Sequence, residues 1–428
     1  MKSFPQNFPA IRILQPLGEF YLTAVPAELL LQVCFSLRHT RHEADETGRV
    51  KDEGHQRRLD PTRLNDISRY LRTQDAALPG TIILAANCTP DGEILGVEDG
   101  DTTMNRWRIE PKDGSDREVV SLIIPTHEKL AAVVDGQHRL WGFEDLPDEL
   151  KEISLPCAIF LDLPTPQQAA IFATINFNQK PVSKSQSYEL FGYNLDDEPE
   201  KSWSPDKLAV FLTRKLNADA GSPFKDHIKV APQDDRVLDE ITHIRQKEWS
   251  VSTATIVEGI LALISKNPKQ DRDTLHQQPV EKRLRKQVAT NDRGEKPPFR
   301  DFYLEGDRDI VIYKTIINFF SAASEIFWSK PNSGLIRKTA GVQALFRVLK
   351  ELLPEQLRKK DFQQSTWKAI LAKAELLDFS SMEIFESSGR GRSRIQDAIL
   401  VTIGKKESFK ISDESFRSYL ENIINKNN

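Results

Sequence analysis

LAAVVDGQHRLWGFEDL, Leu130 to Leu146, joins an apolar run that reads as a buried strand to a polar turn, and the turn to a stretch of helical character. Five residues of that turn, Asp135 to Arg139, decide how the chain is read. Gly136 lets the backbone turn tightly and lets a ligand approach the main chain. A helix starting near His138 offers unpaired N–H groups and the positive end of its dipole to an anion. Arg139 adds a planar fork of donors suited to phosphate, and His138 a donor that can charge near neutral pH. Asp135 can hold a divalent metal or act as a base. One turn then supplies metal ligand, phosphate cradle and counter-charge, the equipment of a nucleotide-handling site. The competing reading is structural: Asp135 caps the helix, Gly136 merely turns the chain, and Arg139 pairs with Glu144 or Asp145.

Working outward, Ile11–Val25 has strand-like runs and Pro26–Leu37 reads as a helix opened by proline. The polar, glycine-punctuated HTRHEADETGRVKDEGHQR is a loop. Asp60 and Pro61 are the N-cap and first residue of a helix with Leu64, Ile67 and Leu71 at helical spacing. Gly80–Asn87, Val119–Pro125 and Ser154–Leu163 read as strands, and Thr165 with Pro166 opens another helix. From Trp203 onward helical periodicity dominates. The expectation is a mixed α+β protein: an α/β domain over residues 1–195 and a mainly helical domain over 196–428, in keeping with a length of 428 residues. Within the helical half, the basic, proline-containing Arg283–Arg300 reads as a mobile loop, and the aromatic cluster Phe319–Trp328 as core.

A net charge of −4 does not advertise a nucleic-acid binder, although basic faces remain open on an acidic protein. Val280–Arg300 carries seven basic and three acidic residues, and Glu386–Ile395 three arginines against one glutamate. Cys34, Cys88 and Cys157 are far apart and odd in number, which argues against a disulfide framework or a four-cysteine zinc site and fits a cytoplasmic protein. They read as packing residues. His39, His42 and His55 fall in the polar loop, where the permissive HxxH spacing reads as incidental. No continuous eighteen-residue apolar run and no signal-peptide layout is legible, so no membrane is expected.

VVDGQHRLWGF resembles the DGQHR-domain family, which includes the DndB regulators of DNA phosphorothioation. GHQRRLDPTRLNDISRYL with PGTIILAAN is similar to the family's upstream segment, and IFATINFNQKPVSKS to its downstream segment. LTRKLNADAGSPFKDHIKV, WSVSTATIVEGI and RKTAGVQALFRVL resemble its helical half. The family is in turn similar to the ParB/sulfiredoxin superfold, in which the equivalent strand–turn–helix binds nucleotide phosphates. Where sulfiredoxin has a cysteine in that turn this chain has none, which removes sulfinic-acid reduction.

The resemblance implies binding, and hydrolysis, of ATP or another NTP with Mg²⁺, in a bacterial DNA-modification or phage-defence system of the phosphorothioate or 7-deazaguanine type. Asp135, His138 and Arg139 would be catalytic, with Asp135 on the metal. Gln56, Arg57, Gly136, Gln137, Asn176, Gln179 and Lys180 would bind the nucleotide. Asn178 closes the same amide group, which could read a base or ribose edge. For DNA the candidates are Arg214, Lys215, Lys225 and Lys229, then Arg337 and Lys338, then Arg390, Arg392 and Arg394 in a glycine-containing segment open to a phosphate chain. Partners would be DNA, modification enzymes of the same gene cluster and further copies of the chain. A regulator that binds DNA without turnover is the alternative.

Overall fold

The computed structural model describes residues 3–36, 40–41, 52–53, 59–89, 94–95, 105–111, 118–178, 184–185, 188, 198–229, 249–330, 333–381, 384–385 and 389–427. Backbone contacts divide the chain into two compact units, Met1–Pro181 and Val182–Asn428.

The first unit is built on a curled mixed sheet. Strands β1 (Gln6–Gln15) and β2 (Gly18–Pro26) form a hairpin, followed by helix α1 (Ala27–Val33) and a two-residue strand β3 (Cys34–Phe35). Short strands β4 (Thr40–Arg41) and β5 (Asp52–Glu53) pair with each other inside the stretch expected to be plain loop. Helix α2 (Pro61–Tyr70) precedes β6 (Ile82–Ala86), β7 (Arg108–Pro111), β8 (Val119–Ile124) and β9 (Ala131–Asp135). Helices α3 (Gln137–Trp141) and α4 (Asp148–Lys151), strand β10 (Ser154–Leu161) and helix α5 (Thr165–Asn178) complete it. The sheet order is β3-β9-β6-β10-β2-β1-β8-β7. Strand β10 is parallel to β6, and β3 to β9, while the other neighbours are antiparallel.

Both faces of β9 are covered. On one, Val133 joins Leu84, Ile159, Leu30, Leu140 and Phe143 in the main core. On the other, Val134 packs with Ala85 and Leu163, flanked by Ile171 and Phe172 of α5. Full burial of each Leu or Ile here contributes about 1.5–3 kcal/mol. The proline-led helix stops at Val33 because Cys34 and Phe35 pair with Ala131 and Ala132 instead; sheet pairing overrides their place in a helical stripe. Asp60 caps α2, its carboxylate accepting from the Thr62 N–H at 2.9 Å, with Pro61 in the first turn.

The second unit is helical: α6 (Pro205–Ala218), α7 (Thr253–Ile264), α8 (Pro268–His276), α9 (Arg300–Glu305), α10 (Asp309–Ala323), α11 (Thr339–Lys359), α12 (Gln364–Ala372), α13 (Gly389–Thr402) and α14 (Glu414–Asn427). Phe319, Phe320, Phe327 and Trp328 are buried in its core, as the aromatic cluster predicts. Asp309–Trp328 is long and apolar enough, by length and composition, to cross a membrane, yet Ile312, Ile316, Phe319 and Ala323 on it belong to that same core.

The segment expected to be a mobile loop is instead part of the frame. Arg285 and Arg300 are buried, and each is paired with acids. Arg285 forks onto both oxygens of Asp309 at 2.6 and 2.8 Å. Arg300 reaches Asp271 at 2.6 and 3.1 Å and Asp292 at 2.8 Å. A charge-rich stretch reads as solvated only while its partners, here far away in sequence, stay unknown. Arg300→Leu leaves the buried Asp271 and the part-buried Asp292 without their guanidinium and is expected to cost about 3–5 kcal/mol. Urea unfolding would show a lower midpoint at an unchanged slope, whereas a midpoint equal to the parent's would contradict the role given to Arg300.

Candidate functional site

The DGQHR turn stands at the carboxyl end of β9. Asp135 pairs with Ile83 and Val133 with Leu84, so Val134 is an extra residue against β6. Such a bulge bends the strand and re-aims the side chains beyond it, and bulges recur beside binding sites. Here the re-aimed side chain is Asp135. Gly136 follows with φ 96° and ψ 13°, a left-handed conformation that glycine adopts without strain. Helix α3 then runs for only five residues, so its dipole is small.

Asp135 does not cap α3, and Arg139 pairs with neither Glu144 nor Asp145. The two pair with each other: Arg139 Nη2 donates to Asp135 Oδ2 at 2.6 Å, one helical turn apart, with each side chain about a quarter exposed. The guanidinium lies across two glycines. A methyl group on Gly80 would run into Arg139 Nη1, and one on Gly136 would stand 3.2 Å from Nη2 and 2.7 Å from Ile82 Cδ1. Both glycines are therefore required for the guanidinium to lie where it does, across the start of β6 and the end of β9.

Gln137 is buried and its Oε1 accepts from Ser36 Oγ at 3.1 Å, tying the turn to the residue after β3. His138 Nε2 accepts from the Asp60 backbone N–H at 3.1 Å, which places the imidazole proton on Nδ1. Burial and then the charge of Arg63 hold this imidazole below its ordinary pKa, against the opposing pull of Asp60 and Asp135. The shift favours the neutral imidazole, away from the donor that charges near neutrality expected from the sequence. Asp60, Arg63, Ser36 and Gly80 join the site only through the fold. Asp60 reads in sequence as a cap and Gly80 as the start of a strand.

Of the other nucleotide-binding candidates, Gln56, Arg57, Gln179 and Lys180 lie outside the described residues, as do His39, His42 and His55. Asn176 belongs to the last turn of α5, its side chain likewise outside the described set. Cys34, Cys88 and Cys157 are buried free thiols, as packing residues are. Among the described residues no three His, Cys, Asp or Glu side chains converge as a metal site.

Residues 8–200 match the family model described as DndB, DNA-sulfur modification-associated. Over these residues the chain is DndB-like. No curated protein and no solved structure matches it. The DndB-like stretch contains the whole DGQHR turn with its supports at Ser36, Asp60, Arg63 and Gly80, and ends before every basic residue singled out for DNA.

Those basic residues lie on the helical unit. Arg214 and Lys215 are exposed on α6, the Lys215 ammonium 5.0 Å from the centre of the Tyr313 ring, and Lys225 and Lys229 are exposed beyond it. Arg337 donates to the Lys330 carbonyl at 3.0 Å and to Ser333, and Lys338 immediately precedes α11. Gly389–Ile395 is not an open loop but the start of α13. There Arg394 is engaged by Asp413 and the Ile384 carbonyl, Arg392 faces Gln343 at 3.0 Å, and Arg390 stays exposed with Asp413 at 3.4 Å.

Two outcomes check this geometry. Gly136→Ala is expected to destabilise the protein by about 1–3 kcal/mol through its left-handed backbone. Gly80→Ala displaces only the flexible end of Arg139 and is expected within about 0.5 kcal/mol of the parent. Equal melting of Gly136→Ala and the parent would contradict the turn as described. For His138, proton NMR is expected to place the titration midpoint below 6.5. A folded pKa below the unfolded one means that its contribution to stability is complete above about pH 6.5 and is lost as pH falls through the folded value. A midpoint above 6.5 would refute the assignment.

Proposed function

We propose that the first unit binds a nucleoside triphosphate at the Asp135–Arg139 turn and hydrolyses it, and that the helical unit engages DNA within a DNA-sulfur-modification system. The observation that carries the reading is the Asp135–Arg139 pair laid over Gly80 and Gly136. Two opposite charges sit together at the end of a buried strand, open on one side, on a backbone stripped of side chains. A phosphate is the natural exchange partner for the guanidinium, and a divalent cation for the carboxylate.

The donor set fits magnesium carried in by phosphates better than a protein cage. Magnesium takes one or two carboxylates and keeps phosphate oxygens and waters for the rest, and Asp135 is the one carboxylate the turn offers. When bound, the ion supplies charge neutralisation across the phosphates. Arg139 would face the phosphoryl oxygens and Asp135 would hold the ion. Gly136 lets the main chain approach, and Gln137 with Ser36 fixes the turn. His138, held by Asp60, positions α2 against the turn and carries no proton to transfer from Nε2. Gln56, Arg57, Asn176, Gln179 and Lys180 complete the nucleotide contacts in this reading, with Arg214, Lys215, Lys225, Lys338, Arg390 and Arg392 toward DNA. The reading implies a cytoplasmic protein whose partners are DNA and the modification enzymes encoded with it.

One observation favours the second reading, a DNA-binding regulator that binds nucleotide without turnover. Asp135 is held by Arg139 and His138 by Asp60, which leaves no side chain of the turn placed as a general base. Phosphate release from ATP, GTP and CTP with Mg²⁺, with and without duplex DNA, separates the two. Arg139→Ala and Asp135→Ala are each expected to lower turnover by about 10²–10³ if the turn is catalytic. Nucleotide binding by the parent protein with no release would establish the regulator. Turnover unchanged in both variants would remove the turn from the chemistry.

A further inference from the structure

Helices α11 and α13 lie side by side and run parallel. Arg392 Nη1 donates to Gln343 Oε1 at 3.0 Å, and one turn further along both helices Arg347 Nη1 reaches Gln396 Oε1 at 3.5 Å, with the same sequence offset of 49. Residues four apart share a helix face, so the four side chains form a chequerboard of two arginines and two amides. The like charges act on each other: burial first, then the neighbouring Arg392, holds the Arg347 guanidinium below its ordinary value.

Five buried or part-buried arginines elsewhere in this unit face acids: Arg272 with Asp206, Arg283 with Glu198, Arg285 with Asp309, Arg300 with Asp271 and Asp292, Arg394 with Asp413, while Arg337 is held by Ser333 and the Lys330 carbonyl. Arg347 and Arg392 face amides alone, and among the described residues neither has an ion-pair partner; Arg392 Nε also lacks a hydrogen bond. An amide satisfies a guanidinium N–H without cancelling its charge. The nearby acids Glu355 and Asp397 are engaged by lysines: Glu355 takes both Lys359 and Lys405, and Asp397, next to Gln396, takes Lys406. At the near end Lys338 precedes α11 and Arg390 opens α13, basic residues where the helix dipole disfavours them. Arg390 and Arg394 share Asp413, so within this stretch of the pair the charge left without an acid is that of Arg347 and Arg392.

We infer that Arg347 and Arg392, spaced by Gln343 and Gln396, form a binding site for a phosphate oxyanion on the helical unit. Each guanidinium retains donors beyond the one given to its amide, and two planar forks on adjacent helices suit the tetrahedral oxygens of a phosphate. Gln343 and Gln396 act as positioning residues that hold the forks in place. The oxyanion chemistry is shared by free phosphate and by a phosphodiester of DNA; that DNA is the source rests on the function proposed above, while the site itself does not.

The test uses the full chain, Arg347→Gln and Arg392→Gln, and two probes: inorganic phosphate, read by thermal shift and calorimetry, and a short DNA duplex, read by fluorescence anisotropy over a salt series. Arg347 is exposed, so Arg347→Gln keeps the fold even if Arg392→Gln does not. Either variant is expected to weaken binding of its probe about tenfold, the loss of one charge-assisted contact. If the anion is a backbone phosphate, the plot of log affinity against log salt also becomes shallower by about 0.9 per arginine removed. Weakened phosphate binding with duplex affinity unchanged, or with no duplex bound by the parent, supports a free-phosphate site and counts against the DNA reading alone. Weakened duplex binding supports the DNA source. Phosphate and duplex affinities both equal to the parent's in Arg347→Gln would overturn the site.

Discussion

Strand β9 is buried on both faces, and the polar chemistry of the first unit is confined by that fact. Neither face admits an unpaired polar group without a penalty of roughly 1–3 kcal/mol. Ala131 to Val134 are therefore apolar, and the first polar side chain comes where the strand ends. The bulge at Val134 then matters more than its single residue suggests, because it sets the direction in which Asp135 leaves the sheet. Asp135 places Arg139, Arg139 needs the bare backbone at Gly80 and Gly136, and Gly80 stands two residues before β6, the strand that pairs with β9. The turn and the sheet end constrain each other, which is why few substitutions there can be neutral to both.

Much of this was legible in sequence because it is local. The apolar run before Asp135, the Asp60–Pro61 helix start and the glycine at the turn are each read from a few adjacent residues, and all three stand as read. So does the division into a sheet unit and a helical one. Long-range facts were not legible. Cys34 and Phe35 continue a helical stripe until β9 claims them as an edge strand, and β7 is too short and too charged to announce itself. The pairing of Arg139 with Asp135 rather than with Glu144 or Asp145 follows from the left-handed turn at Gly136, which brings residue 135 over the first turn of α3. Composition could not have chosen among three carboxylates.

Arginine shows the same limit from the other side. In the 283–300 segment the basic residues look solvated, yet Arg285 and Arg300 are among the most buried polar side chains of the chain. Their acids come from α8, α10 and the residue just after the short helical turn Arg285–Asn291. Burying a guanidinium costs several kcal/mol unless a carboxylate meets it with good geometry, and these are met bidentately.

Against that background a part-buried arginine facing an amide is informative. The hydrogen bond is made, so the fold has no orphan to explain at that nitrogen, but the charge is left standing. A structural role would be served better by glutamate than by glutamine at 343 or 396, since the carboxylate both accepts and neutralises. Keeping the amide preserves the orientation of the guanidinium and leaves its charge for something else. The same logic separates Arg347 and Arg392 from the far end of α11, where Lys359 and Lys405 are each given a carboxylate partner in Glu355.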